Sequence, residues 1–209
     1  MTVVRLVALC IAAYLVGSIP TAYLMGRIIK GIDIRKHGSG NVGATNVMRV
    51  LGTWAGIATL AIDLLKGYLV VGFLAPLAFP GSAHLPIWKI LACIAVVSGH
   101  NWMIFLRFAG GKGVATTAGA FLAMMPWVAV SAFGIFAVVV ALTRYVSLGS
   151  ILAGIAIPIF VWAYHEPAVY LWFSVVLTLA LILKHRANIS RLIAGTEKKL
   201  GSKTERVDG

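Results

Sequence analysis

The sequence predicts an all-α, polytopic membrane bundle of seven transmembrane spans, with the N-terminus outside and the C-terminus cytoplasmic. Three observations lead there. The chain is 60% hydrophobic and only 11% charged over 209 residues, whereas soluble domains carry about 25% charged residues. Its apolar runs are long and continuous and lack the strict alternation of barrel strands. In lipid every backbone group must find a partner within the protein, which leaves helices as the spanning structure. Finally, its Lys and Arg residues gather in the connections between apolar runs, as the positive-inside rule requires.

The spans follow in order. Val3 to Gly26 is long enough to cross and carries no small-residue cleavage pattern, so it reads as a retained first helix and not as a cleaved signal peptide. Trp54 to Ala75, Ile87 to Phe105, Ile151 to Tyr164 and Val169 to Leu183 are further candidates. The stretch from Val114 to Leu142 is too long for one crossing and short for two, and Pro126 interrupts it. Charge decides the count. Arg27, Lys30, Arg35, Lys36 and Arg49 follow the first span, Arg107 and Lys112 follow the third, and the tail from Lys184 onward is basic. The connections Pro76 to Pro86 and His165 to Pro167 carry no Lys or Arg. Placing the basic regions and Arg144 on one side requires two short spans, Val114 to Met125 and Pro126 to Leu142, bent near Pro126. The alternative is six spans with a kink there, which would strand the basic tail outside. Residues 1–209 form one domain, with a flexible basic tail expected over about 198–209.

The net charge of +12 suits anionic headgroups and phosphate substrates, and it does not call for nucleic acid. Cys10 and Cys93 lie within apolar runs and read as small hydrophobes.

Four polar clusters fall on the predicted cytoplasmic side. Residues 38–49 are dense in Gly, Ser, Asn and Thr and end on Arg49. Glycines let a backbone approach an anion, neutral side chains add donors, and Arg presents a planar fork for phosphate. Ser39, Gly40, Asn41, Thr45, Asn46 and Arg49 are the candidates here. A second loop, Gly110-Gly111-Lys112-Gly113, places a cation at the start of a helix, where free N–H groups attract anions. His100, just upstream, is a candidate ligand contact or base. Tyr145 to Ser150 supplies Ser147 and Ser150, either of which could instead cap the next helix. In the fourth cluster His185, Asn188 and Arg191 recur every three residues, so a helix would set them on one face, with Glu197 beyond. Within the second span, Asp63 and Lys66 stand three apart, the spacing of a mutual ion pair.

Other features are absent from the sequence. There is no Walker motif, no His-x-x-x-x-Asp dyad, no Asp-rich magnesium site and no nucleophile elbow. A transporter for a phosphorylated metabolite would also use basic, glycine-rich loops, but it would need polar groups reaching both faces and usually an internal repeat.

These blocks together resemble the bacterial acyl-phosphate:glycerol-3-phosphate acyltransferases, the PlsY family. The matching segments are Gly17-Ser18-Ile19-Pro20, Asp33-Ile34-Arg35 leading into residues 38–49, Gly99-His100 through Thr116, Ser147-Leu148-Gly149-Ser150, and Lys184-His185-Arg186-x-Asn188-Ile189-x-Arg191 through Glu197. The resemblance implies a seven-span fold whose site opens to the cytoplasm, in the inner membrane. It implies acyl transfer from a fatty acyl phosphate to the 1-position of glycerol 3-phosphate. By the same resemblance Ser39, Arg49, Lys112, Ser150, His185 and Asn188 line the site as catalytic residues. Gly40, Asn41, Thr45, Asn46, His100, Gly110, Gly111, Gly113, Arg191 and Glu197 are expected to bind substrate. No cofactor or metal is expected. The partners are the two substrates, membrane lipids and neighbouring enzymes of phospholipid synthesis. The proton acceptor stays open between the departing phosphate and a histidine, His185 or His100.

Overall fold

The computed structural model describes residues 2–201, and the last basic residues of the tail, Lys203 and Arg206, lie outside them. Among the described residues the secondary structure is entirely helical. The first apolar run divides into α1 (Thr2–Gly17) and α2 (Thr21–Lys30). The predicted continuous helix from Val3 to Gly26 is therefore interrupted, because Pro20 has no N–H to continue the ladder and Ser18 to Pro20 turn out of it. After a short 3-10 turn, Ile34–Lys36, come α3 (Ala44–Leu51) and α4 (Thr53–Leu69). A π-helical segment, Val70–Leu74, carries α4 into α5 (Ala75–Ala78). Then follow α6 (Leu85–Asn101), α7 (Val114–Met124), α8 (Pro126–Thr143), α9 (Val146–Ala163), α10 (Ala168–Lys184) and α11 (Arg186–Ile193).

Five helical stretches are long and apolar enough to cross a membrane, and a sixth results if α10 and α11, bent by 60° at His185, are one span. The remaining apolar helix, α7, has 11 residues. At 1.5 Å per residue it is about 16 Å long, roughly half of a hydrocarbon core. Pro126 separates it from α8, where a proline in the first turn loses no intrahelical bond.

Lipid offers no hydrophobic drive between helices, so close backbone approach must supply the attraction. Two crossings here are made by glycine. Where α1 meets α6, a Cβ on Gly17 would stand 2.0 Å from the Val96 carbonyl, and one on Gly99 would stand 2.1 Å from that of Tyr14. Where α4 meets α7, a Cβ on Gly67 would lie 2.0 Å from the Thr116 oxygen, and one on Gly119 1.9 Å from that of Leu64. Between these crossings sits a core that includes Cys93, Val96, Phe121, Met125 and Val128, all buried. Cys10 is half-buried and, like Cys93, a free thiol. The outward faces carry Phe73, Phe133, Val138, Leu142 and Ile159, as expected where lipid is the solvent. Trp127, Trp162 and Trp172 are exposed near the helix ends remote from the basic loops, where indole rings favour the headgroup level.

Gly119→Ala should lower unfolding stability by about 2 kcal/mol or more, since its methyl group must push α4 and α7 apart. Gly134→Ala, in α8 with open space around the added methyl, should leave stability unchanged or slightly raise it. Thermal unfolding of the two variants in detergent tests the contrast.

Candidate active site

The two glycine loops and the C-terminal segment converge at one end of the bundle. The first loop is organised by Asn46, buried in the first turn of α3. Its Oδ1 accepts the backbone N–H of Ser39 at 2.8 Å, while its amide donates to the carbonyls of Ile34 and His37 at 3.3 and 3.1 Å. Gly38 must be glycine there: its φ is +65° and a Cβ would lie 2.3 Å from Asn46 Oδ1. Asp33 closes the preceding turn by accepting from the Arg35 backbone at 3.1 Å and from its guanidinium at 2.7 Å. The guanidinium holds the Asp33 carboxyl down at about 2.

Five groups from three distant parts of the sequence then meet. Lys112 donates to Asn188 Oδ1. Asn188 Nδ2 donates to Glu197 Oε1 at 2.6 Å, and Ser147 Oγ donates to the same oxygen at 2.8 Å. Arg191 Nε donates to Glu197 Oε2 at 2.7 Å. Burial opposes ionisation of Glu197, but the bonds from Asn188, Ser147 and Arg191 outweigh it and hold the carboxyl below its usual range.

Arg49, at the end of α3, faces the same network. One amino group donates to the Lys198 carbonyl at 3.1 Å, and its buried Nε makes no hydrogen bond among the described residues. Burial weakens its hold on the proton, which the charge of Glu197 partly restores. Lys112 is more strongly affected. Burial brings its ammonium down to about 8, with Glu197 pulling it up and the charges of Arg191 and Arg49 pushing it further down. A buried cation with too few counter-charges is a site for an anion.

His185 stands at the bend between α10 and α11, fully buried. Its Nδ1 lies 2.9 Å from the Leu181 carbonyl. A carbonyl can only accept, so Nδ1 carries a proton there and Nε2 of the neutral ring is left as an acceptor.

Of the residues predicted from sequence, Lys112, Asn188, Arg191 and Glu197 share one network, and Arg49 and His185 border it. Gly110, Gly111 and Gly113 form the backbone around Lys112, with Gly113 in the left-handed conformation at the start of α7. The hydroxyls of Ser39 and Ser150 do not join the network. Ser39 is exposed, and Ser150 donates to the Val146 carbonyl of its own helix at 2.9 Å. Gly40, Asn41 and Thr45 lie along the first loop and the start of α3, at its partly exposed rim. His100 is buried at the end of α6 and faces Asp63 instead. Neither serine caps α9, which begins at Val146 behind Tyr145, so both sit in its first turns. Ser147, which was predicted only as part of the polar stretch, is the one that reaches Glu197.

Known proteins resemble this chain in sequence and in fold. The pattern of the family described as glycerol-3-phosphate acyltransferase matches residues 7–195. Glycerol-3-phosphate acyltransferase 2 of Moorella thermoacetica is 51% identical over 194 residues, covering 93% of this chain and 97% of its own. The glycerol-3-phosphate acyltransferase of Trichormus variabilis is 45% identical, covering 94% and 92%. The crystal structure of PlsY, an integral membrane glycerol 3-phosphate acyltransferase, in its glycerol 3-phosphate form superposes with a TM-score of 0.85 at 38% identity, over 94% of this chain and 96% of that one. Its lysophosphatidic acid form gives 0.83 at 37% identity, over 94% and 95%.

The Lys112 ammonium gives the site a pH dependence of defined sign. Below about 8 it is charged and attracts an anion; as pH rises through that value the proton, and the attraction, are lost. Calorimetric affinity for inorganic phosphate should fall by about tenfold between roughly pH 7 and 9.5. In Lys112→Met most of that dependence should vanish. An unchanged profile in the variant would place the titrating group elsewhere.

Proposed function

This chain belongs to the glycerol-3-phosphate acyltransferase family, and we propose that it transfers a fatty acyl group from an acyl phosphate to the 1-hydroxyl of glycerol 3-phosphate. The products are lysophosphatidic acid and inorganic phosphate. One observation carries the substrate assignment: Ser147, Asn188 and Arg191 bond a single carboxylate, Glu197, Lys112 bonds Asn188, and Arg49 feels the same carboxylate's charge, in a pocket whose cations exceed its anions. Both proposed substrates carry phosphate. Their relatives' names and the two PlsY forms support the acceptor and the lipid product.

In the proposed reaction the glycerol hydroxyl adds to the carbonyl carbon of the mixed anhydride. The new ester C–O bond forms as the bond to phosphate breaks, and the hydroxyl proton leaves with the phosphate. An acyl phosphate is already activated, so positioning and charge stabilisation supply most of the catalysis. Arg49 and Lys112 hold phosphate and the charge that builds on the departing group, while Asn188, with His185 beside it, orients the glycerol phosphate. Ser39 stands at the exposed rim and Ser150 is buried in α9, and a side-chain rotation would turn either hydroxyl toward a phosphate or carbonyl oxygen. The competing acceptor for the proton is His185 Nε2. No metal or cofactor takes part.

The site faces the cytoplasm of the inner membrane in a seven-span topology, with α7 and α8 as separate crossings and the outer ends marked by Trp127, Trp162 and Trp172. The acyl chain enters from the lipid. Neighbouring enzymes of phospholipid synthesis supply the acyl phosphate and consume the lysophosphatidic acid.

Purified protein incubated with labelled glycerol 3-phosphate and palmitoyl phosphate should release lysophosphatidic acid and phosphate in equal amounts, and EDTA should not reduce the rate. Product formed only from acyl-CoA, or tight binding without turnover, would contradict the assignment. A reporter fused to the C-terminus should be active only inside the cell. His185→Ala that keeps the wild-type pH profile would support proton transfer to phosphate; loss of one limb would make His185 the base.

A further inference from the structure

Three buried ionisable side chains take no part in the chemistry above. Asp63 is 2% exposed, Lys66 5% and His100 4%. Asp63 Oδ1 accepts from Lys66 Nζ at 2.8 Å and from Thr21 Oγ1 at 3.0 Å, and Lys66 also donates to the Ile19 carbonyl at 3.3 Å. Pairing alone would neutralise Asp63 and Lys66 within the span. The arrangement does more, because it ties α4 to the break between α1 and α2. The same oxygen lies 3.7 Å from His100 Nδ1, and that nitrogen makes no hydrogen bond among the described residues.

The other edge of the His100 ring lies against the second glycine loop. A Cβ on Gly111 would stand 2.2 Å from His100 Nε2 and 2.9 Å from the Val42 carbonyl. Gly111 N–H donates to the His100 carbonyl at 3.0 Å, and a Cβ on Gly110 would stand 2.4 Å from that same oxygen. The residue before Lys112 is therefore packed tightly against an imidazole ring and the backbone of the first loop.

We propose that Asp63 and His100 are positioning residues for acyl transfer: through the His100 ring they fix Gly111, and with it Lys112, against the first glycine loop. This rests on the reading of Lys112 as a phosphate-holding cation. A four-carbon side chain on a run of glycines has no stiffness of its own, and a misplacement of about 1 Å at a reacting centre can cost about a hundredfold in rate. A flat, buried ring packed between Asp63 and the glycine loop supplies the missing rigidity. His100 acts through the loop, not as a proton acceptor.

A mutant cycle with Lys112 tests this. Wild-type turnover comes first: its absence with both substrates would defeat the acyltransferase reading itself, whereas its presence leaves the cycle to judge the positioning role. His100→Ala should lower kcat/KM by about tenfold or more with an unfolding temperature close to that of the wild type. His100→Gln, whose amide fills part of the ring's volume, should recover at least half of that loss on a logarithmic scale. In a Lys112→Gln background, His100→Ala should cost almost nothing more, since both changes act through one group. If Lys112→Gln turns over too slowly to measure, calorimetric affinity for glycerol 3-phosphate provides the same comparison. Asp63→Asn should behave like His100→Ala. If it fails to fold, Thr21→Val replaces it, with a smaller loss in the same direction that also disappears in the Lys112→Gln background. Equal losses in both Lys112 backgrounds, or a His100→Gln variant as impaired as His100→Ala, would overturn the proposal.

Discussion

The need to hold several cations beside one carboxylate at the edge of a bilayer governs this structure. Arg49, Lys112 and Arg191 come from three separate parts of the chain, and the first two bring their positive charge into partly desolvated surroundings while Arg191 stays exposed. Like charges gathered together repel, and burial of Arg49 and Lys112 adds to the cost. Glu197 relieves both. It accepts from Asn188, Ser147 and Arg191, and its field reaches Arg49 and Lys112. One carboxylate cannot balance three cations, so the pocket keeps an affinity for a further anion. That residual charge links the fold to phosphate chemistry.

The rest of the fold delivers those groups to one place. Glycine contacts at Gly17 and Gly99 lock α1 to α6, and those at Gly67 and Gly119 lock α4 to α7. The last turn of α6 and the first turn of α7 frame the loop that carries Lys112, so both crossings bear on its position. The bend at His185 turns α11 by 60° relative to α10 and lets Asn188 reach Lys112 and Arg191 reach Glu197. The described beginning of the tail is held down as well: Arg49 donates to the Lys198 carbonyl and Arg144 to that of Leu200 at 2.7 Å. Glu197 lies just before these anchors, so its carboxylate is delivered by a fastened segment.

Much of this was legible in the sequence, for physical reasons. Apolar runs and the placement of Lys and Arg outline the helices because the bilayer imposes both. Asp63 and Lys66 could be paired from their spacing alone, since three residues is one helical turn. Their further partners, Thr21 and His100, come from other helices, and no local pattern foretells a tertiary contact. The break at Ser18 to Pro20 had its signal in Pro20, which was outweighed by the continuity of the apolar run. Choosing Ser147 over Ser150 was beyond sequence reasoning: the two are three apart in one helix and share a face, so only the position of Glu197 decides between them. The glycine crossings were equally hidden, because a glycine that admits a neighbouring backbone looks the same in sequence as one in a turn.

A crystal structure determined with glycerol 3-phosphate bound would test the central claim most directly. The account requires the phosphate to lie among Arg49, Lys112, Asn188 and Arg191, within salt-bridge distance of the Lys112 ammonium and of at least one guanidinium. A phosphate bound at the opposite end of the bundle, near Trp127 and Trp162, with Lys112 still paired only to Asn188, would contradict it.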